Sequence, residues 1–223
     1  MKLREYQNNI AIQAADKLTA FGCCYLSMEC RTGKTLTALF AADKFNAKSV
    51  LFITKLKAIP SVKNDYIALQ PSFKLEVVNF ESSHKMTGKY DLVIIDEAHS
   101  LGAYPKPSKR TQEIRTICEG LPVLYLSGTP SPESYSQLYH QFWVCSKSPW
   151  KSYKSFYKWA KEYVYTRQKK VNGSLINDYS CANKPKIDND TKNLFISYSQ
   201  EQAGFEVNIN EHILQVQMKN RTG

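Results

Sequence analysis

The sequence lacks a long apolar segment. Its apolar runs fall short of the roughly 18 consecutive residues that a membrane-spanning helix needs. The N-terminal stretch Met1 to Asn9 also contains no apolar core of a secretory signal. These absences argue against a membrane or secreted protein, and we expect a cytoplasmic location.

The six cysteines lack the spacing of a metal site or a redox motif. They form no C-x-x-C pair, and no histidine stands where a zinc ligand is needed. We therefore expect reduced thiols, as in cytosolic proteins. Internal repeats and low-complexity tracts are missing as well, which excludes a repeat architecture.

The chain has 223 residues and a net charge of +10. This length suits one sizeable core with an appended subdomain and is short for two full α/β domains. Within residues 147–170, eight Lys and Arg side chains stand against the single acidic residue Glu162. A polyanionic partner would explain such a segment, although a basic face can also be merely solvated.

Up to about residue 145, short apolar runs alternate with helix-like segments. Because these runs are continuous rather than alternating with polar residues, they predict a parallel sheet covered by helices on both faces. The fold class is therefore α/β and doubly wound. Ser131, followed by Pro132, is a candidate N-cap for a later helix. The five predicted strands are "CCYLSME", "SVLFIT", "LEVVN", "DLVIID" and "PVLYLS".

After about residue 146 the pattern changes, so we divide the chain into a core at 1–146 and an extension at 147–223. Residues 148–165 read as one amphipathic helix, whose aromatic side would pack on the core. Asn172-Gly173 predicts a β-hairpin, the polar stretch 181–193 a loop, and residues 211–218 a last strand. Lysines recur along this segment at spacings of 4, 3, 4 and 3, which predicts one basic stripe made of Lys147, Lys151, Lys154, Lys158 and Lys161.

The stretch "MECRTGKT" ends like a phosphate-binding loop, G-x-x-x-x-G-K-[ST]. Gly33, Lys34 and Thr35 supply its second half, whereas Met28 stands in place of the first glycine. G-K-T alone is weak evidence, but here a strand precedes it and a helix follows. In that frame the backbone N–H groups face phosphate. Lys34 would reach the β- and γ-phosphates, and Thr35 would bind Mg²⁺.

Two other predicted strands end in polar residues that could act on the same ligand. Asp96 and Glu97 directly follow "LVII". Ser127 directly follows "LYL", and Thr129 comes two residues later. In open α/β sheets ligands bind at the carboxyl ends of strands. One carboxylate can hold Mg²⁺ while the next accepts a proton from water; the alternative is a solvent-exposed Asp-Glu pair. Ser127 and Thr129 could hydrogen-bond near the γ-phosphate, or they could simply form a turn.

Together, M-E-x-R-T-G-K-T, D-E-A-H and L-S-G-T-P resemble motifs I, II and III of superfamily 2 helicases and translocases. The arrangement is most similar to the chromatin-remodeller-like branch and its phage-encoded relatives. The opening "LREYQ" resembles the adenine-recognising Q motif, while "LFITKLKAIPSVKNDY" and "VVNFESSHK" resemble motifs Ia and Ib. Members of this superfamily often lack the first glycine of the loop, so Met28 is compatible with the resemblance.

The resemblance implies a RecA-like P-loop domain that binds ATP and Mg²⁺ and acts on nucleic acid, with duplex DNA favoured over a single strand and RNA possible. Asp96, Glu97 and Lys34 would be catalytic, with Thr35 and Asp96 on the metal. His99, Ser127 and Thr129 would couple the nucleotide site to a second motor domain; a structural role for His99 is the alternative. The implied nucleotide-binding residues are Arg4, Gln7, Met28, Cys30, Arg31, Thr32, Gly33, Lys34 and Thr35.

Nucleic-acid contacts are expected from two sources. Motif Ia suggests Lys55 and Lys57. The basic extension adds a further set, for which solvation of a charged face is the alternative. That set is Lys151, Lys154, Lys158, Arg167 and Lys169.

One feature of the family is missing from the sequence. Motor proteins of this type have two RecA-like domains, and the second supplies arginines from a Q-x-x-G-R-x-x-R-like motif, which does not occur here. We therefore expect the first domain of a longer polypeptide, with weak or no hydrolysis on its own. The alternatives are an RNA helicase domain and a non-hydrolysing, nucleotide-gated DNA-binding module.

Overall fold

The computed structural model describes residues 3–171 and 173–204. Helices and strands alternate through the first two thirds of the chain, as the sequence predicts. The α-helices of the described residues are α1 (Glu5–Phe21), α2 (Lys34–Lys44), α3 (Ile59–Leu69), α4 (Lys109–Ile117), α5 (Gln137–Trp143), α6 (Phe156–Tyr163) and α7 (Lys184–Thr191). The strands are β1 (Cys23–Met28), β2 (Ser49–Thr54), β3 (Lys74–Asn79), β4 (Leu92–Ile95), β5 (Val123–Ser127), β6 (Arg167–Val171), β7 (Ser174–Asp178) and β8 (Phe195–Tyr198).

The main sheet is parallel throughout, with strand order β3-β2-β4-β5-β1-β8. All five predicted strands are present, so the predicted α/β class is confirmed and the arrangement is RecA-like. Because every strand runs in the same direction, all of the carboxyl ends lie along one edge. This edge carries the residues that the motif analysis selected.

Helices cover both faces of the sheet, which explains the continuous apolar strands. In β1, Cys23 and Tyr25 face a core cluster that includes residues of α4, α5, α6 and α7. Cys24 and Leu26 face the opposite cluster, which includes residues of α1, α2 and α3. Side chains on both faces of the strand are therefore buried, so neither face needs polar residues.

The extension contributes a sixth strand that the sequence analysis missed. β8 pairs in parallel with β1, with Tyr25 opposite Phe195 and Met28 opposite Tyr198. The predicted last strand at 211–218 lies outside the described residues. Among those that are described, no helix is long and apolar enough to cross a membrane.

The prediction of a loop at 181–193 is wrong, because α7 occupies most of it. The Asn183 side chain accepts a hydrogen bond from the Lys186 backbone N–H, and Pro185 stands in the first turn, where it fits. Polar composition hid this helix, which is held by few contacts. Ile187 is fully buried, and Asp190 accepts hydrogen bonds from Trp150 Nε1 at 3.0 Å and from the Tyr163 hydroxyl at 2.6 Å.

The prediction of one long basic helix over 148–165 is also wrong. Only α6, Phe156–Tyr163, is helical, and the Ser155 side chain caps it by accepting from the Lys158 N–H. Lys147, Lys151 and Lys154 precede this helix in turns, so the lysines do not form one helical stripe.

The aromatic residues of this segment mostly pack as predicted. Trp150 and Trp159 are buried in the core, which confirms the packing prediction for both. Tyr153 is partly buried against the same cluster. Tyr157 is 44% exposed, so core packing is wrong for this residue.

The predicted helix start at Ser131 is displaced, because α5 begins at Gln137. The Gln137 Oε1 atom accepts from the backbone N–H groups of Glu133 and Ser134, which holds the preceding residues in turns. Ser134 and Ser136 donate their hydroxyl hydrogens to the carbonyls of Ser180 and Tyr179, respectively. The connection after β5 is therefore fixed to the residues that follow β7.

The predicted hairpin is confirmed as the antiparallel pair β6–β7. Gly173 has φ 82°, which glycine adopts readily, while Asn172 lies outside the described residues. Most side chains of the hairpin are exposed, including Leu175 and Ile176. Its root lies next to Tyr179 and Ser180, and thus next to the connection after β5.

Asp190→Ala tests how α7 is attached to the domain. Losing a carboxylate that accepts from both Trp150 and Tyr163 should lower the free energy of unfolding by about 2 kcal/mol, measured by urea denaturation. Asp188→Ala is the matched control on the same helix, because Asp188 makes only an exposed ion pair with Lys184 and its loss should cost under about 0.5 kcal/mol. Equal effects of the two variants would contradict this attachment.

Candidate active site

The carboxyl edge of the sheet brings four groups of motif residues into one place. β1 leads to the loop that ends at Gly33, β2 ends at Thr54, β4 leads to Asp96, and β5 ends at Ser127. These strands are mutual neighbours through the pairs β2·β4, β4·β5 and β5·β1. Residues that are about 90 positions apart in the sequence therefore meet at the same edge.

The loop after β1 forms a tight turn before α2. Thr32 Oγ1 donates to the Glu29 carbonyl at 2.7 Å, while Arg31 and Gly33 have φ of 65° and 77°. α2 begins at Lys34, so its first backbone N–H groups point out of the turn. Such N–H groups, at the positive end of the helix dipole, favour an anionic ligand.

Met28 shows why a first glycine is not needed in this chain. It is the last residue of β1, and its side chain is fully buried among residues of α1 and α2. A glycine here would leave a cavity in the core. The Met28 carbonyl faces the loop and accepts a hydrogen bond from Lys34 Nζ at 3.4 Å.

The start of α1 braces this loop from one side. The Tyr6 hydroxyl and Gln7 Nε2 both donate to the Thr32 carbonyl, at 2.9 and 3.4 Å. Gln7 Oε1 accepts from the Arg4 backbone N–H, so the buried Gln7 amide connects the helix end to the loop. Base recognition by Gln7 and nucleotide binding by Arg4 stay predictions. Cys30 and Arg31 are exposed on the loop.

The segment after β8 braces the loop from the other side, which the sequence analysis did not foresee. Gln200 donates from its backbone N–H to Glu29 Oε2 at 2.8 Å and from its amide to the Cys30 carbonyl at 3.0 Å. The Tyr198 ring stacks on Tyr6, with centroids 4.5 Å apart. No pattern in the sequence indicated these contacts, because they depend on the pairing of β8 with β1.

Asp96 occupies a largely buried position at the end of β4. One oxygen accepts from Thr54 Oγ1 at 2.8 Å and the other from the Glu97 N–H at 3.0 Å. Burial raises the pKa of the Asp96 carboxyl above its usual range, although the Thr54 hydroxyl and the charge of Lys34 act in the opposite direction. A bound cation would favour the ionised form that burial opposes.

Glu97 projects differently from Asp96 because its backbone is left-handed, with φ 51°. This conformation is unfavourable for a non-glycine residue. One carboxylate oxygen lies 3.4 Å from Lys55 Nζ, and the other lies 3.4 Å from His99 Nδ1. Lys55, a predicted DNA contact, and His99, a predicted coupling residue, therefore both touch Glu97, which is predicted to activate water.

The predicted coupling residues form one connected set. His99 Nδ1 lies 3.0 Å from Ser127 Oγ, and Ser127 Oγ accepts from the Thr129 backbone N–H at 3.1 Å. The D-E-A-H turn and the S-G-T-P turn are therefore in direct contact. This contact helps to fix the shape of both turns, and the coupling function stays a prediction.

A second layer behind this set was missed by the sequence analysis. The buried Tyr25 hydroxyl donates to Gln141 Oε1 at 2.7 Å, and the Gln141 amide donates to the Pro130 carbonyl at 2.8 Å. This layer ties the turn after β5 to α5. Two features of the sequence could have indicated these polar contacts. One is the pair Gln137 and Gln141, four residues apart, and the other is Thr54 at the end of an apolar strand.

The residues predicted to contact nucleic acid fall into separate places. Lys55 and Lys57 line a cleft of about 540 Å³ at the carboxyl edge. Lys151 and Lys154 line another, of about 310 Å³, together with Cys145. Cys145 Sγ lies 3.7 Å from the carbonyl of Gly22, which directly precedes β1, so this second cleft is at the amino edge.

The other predicted contacts lie elsewhere. Lys158 is exposed on α6, while Arg167 and Lys169 are exposed on β6. Lys151 and Lys154 therefore lie at the opposite edge of the sheet from Lys55 and Lys57.

The donors available for a metal are few. Within residues 3–171 and 173–204, no group of three or more His, Cys, Asp or Glu side chains is arranged to hold a metal ion. Mg²⁺ at a nucleotide takes most of its ligands from phosphate and water. Asp96 and Thr35 are the side chains whose chemistry suits that role.

Comparison with known proteins does not identify the chain. No protein-family model matches it, and no curated protein matches it either.

Gly33→Ala tests the fit between Gln7 and the loop. A Cβ at Gly33 would lie 2.1 Å from Gln7 Nε2, whereas one at Gly120, with nearly the same φ, would meet no atom within 4 Å. Gly120→Ala should lose about 1 kcal/mol for the positive φ alone. Gly33→Ala should lose clearly more in thermal denaturation, and part of the excess should return with Gln7→Ala. Equal losses at the two glycines would contradict this packing.

Asp96→Asn tests the burial of the carboxylate. Since the folded-state pKa is raised, the ionised form opposes folding at neutral pH, and this penalty vanishes below the unfolded-state pKa, where Asp96 is protonated in both states. We expect a higher Tm than that of the wild type at neutral pH and no difference in acid. Asp91, just before the opposite end of β4, accepts hydrogen bonds from the Lys48 and Ser49 N–H groups on one carboxylate oxygen. Asp91→Asn replaces that oxygen with a neutral amide oxygen, which weakens both bonds and should lower the Tm. A lower Tm for Asp96→Asn at neutral pH would contradict the prediction.

Proposed function

We propose that the chain is an ATP-dependent DNA helicase or translocase motor domain of the superfamily 2 type. It would bind ATP with Mg²⁺ and nucleic acid, and hydrolysis would drive movement on DNA when a second motor domain is present. The observation that carries the proposal is the meeting of the Gly33 loop, the Asp96–Glu97 pair and the His99–Ser127 contact at one edge of the sheet.

The phosphates would be held by the start of α2. Its free backbone N–H groups and the Lys34 ammonium would bind the β- and γ-phosphate oxygens. Lys34 now donates to the Met28 carbonyl at 3.4 Å, a contact weak enough for a phosphate oxygen to replace. The buried Met28 side chain leaves the phosphate side of the loop open.

The metal would be held by Asp96 and Thr35. Bound Mg²⁺ supplies positive charge to the phosphate oxygens. Thr54 and the Glu97 N–H fix the Asp96 carboxylate in orientation, and Lys34 is close enough to lower its pKa. The same burial that opposes the free carboxylate would strengthen its attraction to a cation.

Glu97 would position the attacking water and accept its proton. Its left-handed backbone directs the carboxylate away from Asp96 and towards Lys55 and His99. With Asp96 on the metal, Glu97 would be the carboxylate that remains for proton transfer. His99 would then carry the state of Glu97 to Ser127 and Thr129, and through them to the turn after β5.

A second domain would complete the site by supplying arginines. Arginine contacts stabilise the transition state of phosphoryl transfer by about 10³–10⁵ in rate. The proposal thus expects weak turnover from this chain alone. It also places the activity in the cytoplasm, where the six free cysteines would stay reduced.

A non-hydrolysing, nucleotide-gated DNA-binding module is the second candidate. The observation that favours it is the pairing of Glu97 with Lys55 and His99, which keeps the water-activating group engaged. RNA in place of DNA would use the same phosphate contacts, so competition between the two nucleic acids decides the substrate.

ATP hydrolysis with and without duplex DNA tests the proposal. Wild-type turnover should rise when DNA is added. Glu97→Gln should still bind nucleotide, but its hydrolysis should be slower by a factor of about 100 or more, as expected for loss of a general base. Lys34→Ala serves as the blank. Phosphate release and binding of a fluorescent nucleotide are the measurements. Normal hydrolysis by Glu97→Gln would contradict the assigned role of this residue. Nucleotide binding without turnover in every condition would favour the second candidate.

A further inference from the structure

Each carboxylate oxygen of Glu97 lies near a different basic side chain. Lys55 Nζ lies 3.4 Å from Oε1, and His99 Nδ1 lies 3.4 Å from Oε2. The Lys55 side chain is 62% exposed and the Glu97 side chain 32%. The Lys55 contact is thus accessible to a ligand that approaches from solvent.

The two residues are placed by the sheet. Ile53 and Ile95 are paired neighbours in β2 and β4, and the Asp96 N–H donates to the Ile53 carbonyl at 2.8 Å. Lys55 and Glu97 each stand two residues beyond this pair. Their approach is therefore built into the strand register and does not depend on a long flexible loop.

Lys55 also lines the cleft at the carboxyl edge. The cleft contains three cationic side chains, from Lys55, Lys57 and Arg110, with Glu81 as its acidic lining residue. Arg110 contacts Glu81 at 3.0 Å. A polyanion entering this cleft would meet Lys55 at the point where it touches Glu97.

We propose that Lys55 is a latch on Glu97. Without a polyanion, Lys55 keeps the Glu97 carboxylate turned towards the cleft and away from water at the nucleotide. A nucleic-acid phosphate in the cleft competes for Lys55, and Glu97 is released. This inference rests on the proposed function, because it assigns to DNA binding the step that frees the water-activating group.

The latch is weak enough to open and specific enough to matter. Exposed ion pairs shift an equilibrium by only about 2- to 5-fold, so one charge-assisted contact with phosphate can displace Glu97 from Lys55. His99 stays on the other oxygen and keeps Glu97 close to its position. Lys55 is therefore a positioning residue, and His99 limits where Glu97 moves.

The latch has a reciprocal consequence that does not require turnover. If DNA and Glu97 compete for Lys55, removing the Glu97 charge must strengthen DNA binding by the same factor. Glu97→Gln should therefore tighten the binding of a short labelled DNA duplex by about 2- to 5-fold at low salt. The effect should shrink as salt screens the pair.

A double-mutant cycle separates the latch from a general charge effect. DNA affinity is measured by fluorescence anisotropy for wild type, Glu97→Gln, Lys55→Met and the double variant. We expect Lys55→Met to weaken binding and Glu97→Gln to have no effect on that background. Lys55→Arg, which keeps the charge, should retain most of the response to Glu97→Gln.

Glu81→Gln is the matched control. It removes an acidic charge from the same cleft, but its partner is Arg110 rather than Lys55. Its effect on DNA affinity should add to that of Lys55→Met within error. Hydrolysis supplies a second readout, since Lys55→Met should raise turnover without DNA and lose the stimulation by DNA.

The outcomes are distinct. Additive effects of Glu97→Gln and Lys55→Met, or no tightening by Glu97→Gln, would overturn the latch and leave the proposed function intact. Failure of the wild-type chain to bind DNA at all would contradict the proposed function and the latch together. Tightening by Glu97→Gln that disappears with Lys55→Met supports the latch.

Discussion

The parallel alignment of β1, β2, β4 and β5 is the constraint on which the site depends. Each strand is buried on both faces, so polar residues can stand only where the strand ends. Because the four carboxyl ends share one edge, the residues after them are brought close together. Packing of apolar side chains thus fixes the spacing of the polar ones.

The polar contacts at this edge form a chain from Glu97 to the outer helices. Glu97 touches Lys55 and His99, and His99 touches Ser127. The turn after β5 contacts Gln141. The residues after this turn are hydrogen-bonded to the root of the β6–β7 hairpin. A structural change at Glu97 can therefore reach the basic hairpin through a continuous series of contacts. The strands on each side limit the other ways in which the structure can accommodate such a change.

The sequence was sufficient for the class of fold and for the positions of the motif residues, because continuous apolar strands and the G-K-T and D-E-A-H spacings are local signals. It was insufficient where structure depends on distant partners. β8 is only four residues long and is stabilised by pairing with β1. α7 is short and polar and is stabilised by Trp150 and Tyr163. The basic segment looked helical by lysine spacing, yet the turns around Trp150 follow the packing of that ring in the core. The contacts of Gln200 with the loop had no signal at all.

The most direct test of the central claim is to measure ATP binding by titration calorimetry, in the presence and absence of Mg²⁺. This measurement needs neither turnover nor a second domain. The account predicts saturable binding that Mg²⁺ strengthens and that Lys34→Ala abolishes, with Met28 left in place. Binding that is insensitive to Lys34→Ala, or no binding by the folded wild-type chain, would contradict the assignment of this edge as a nucleotide site.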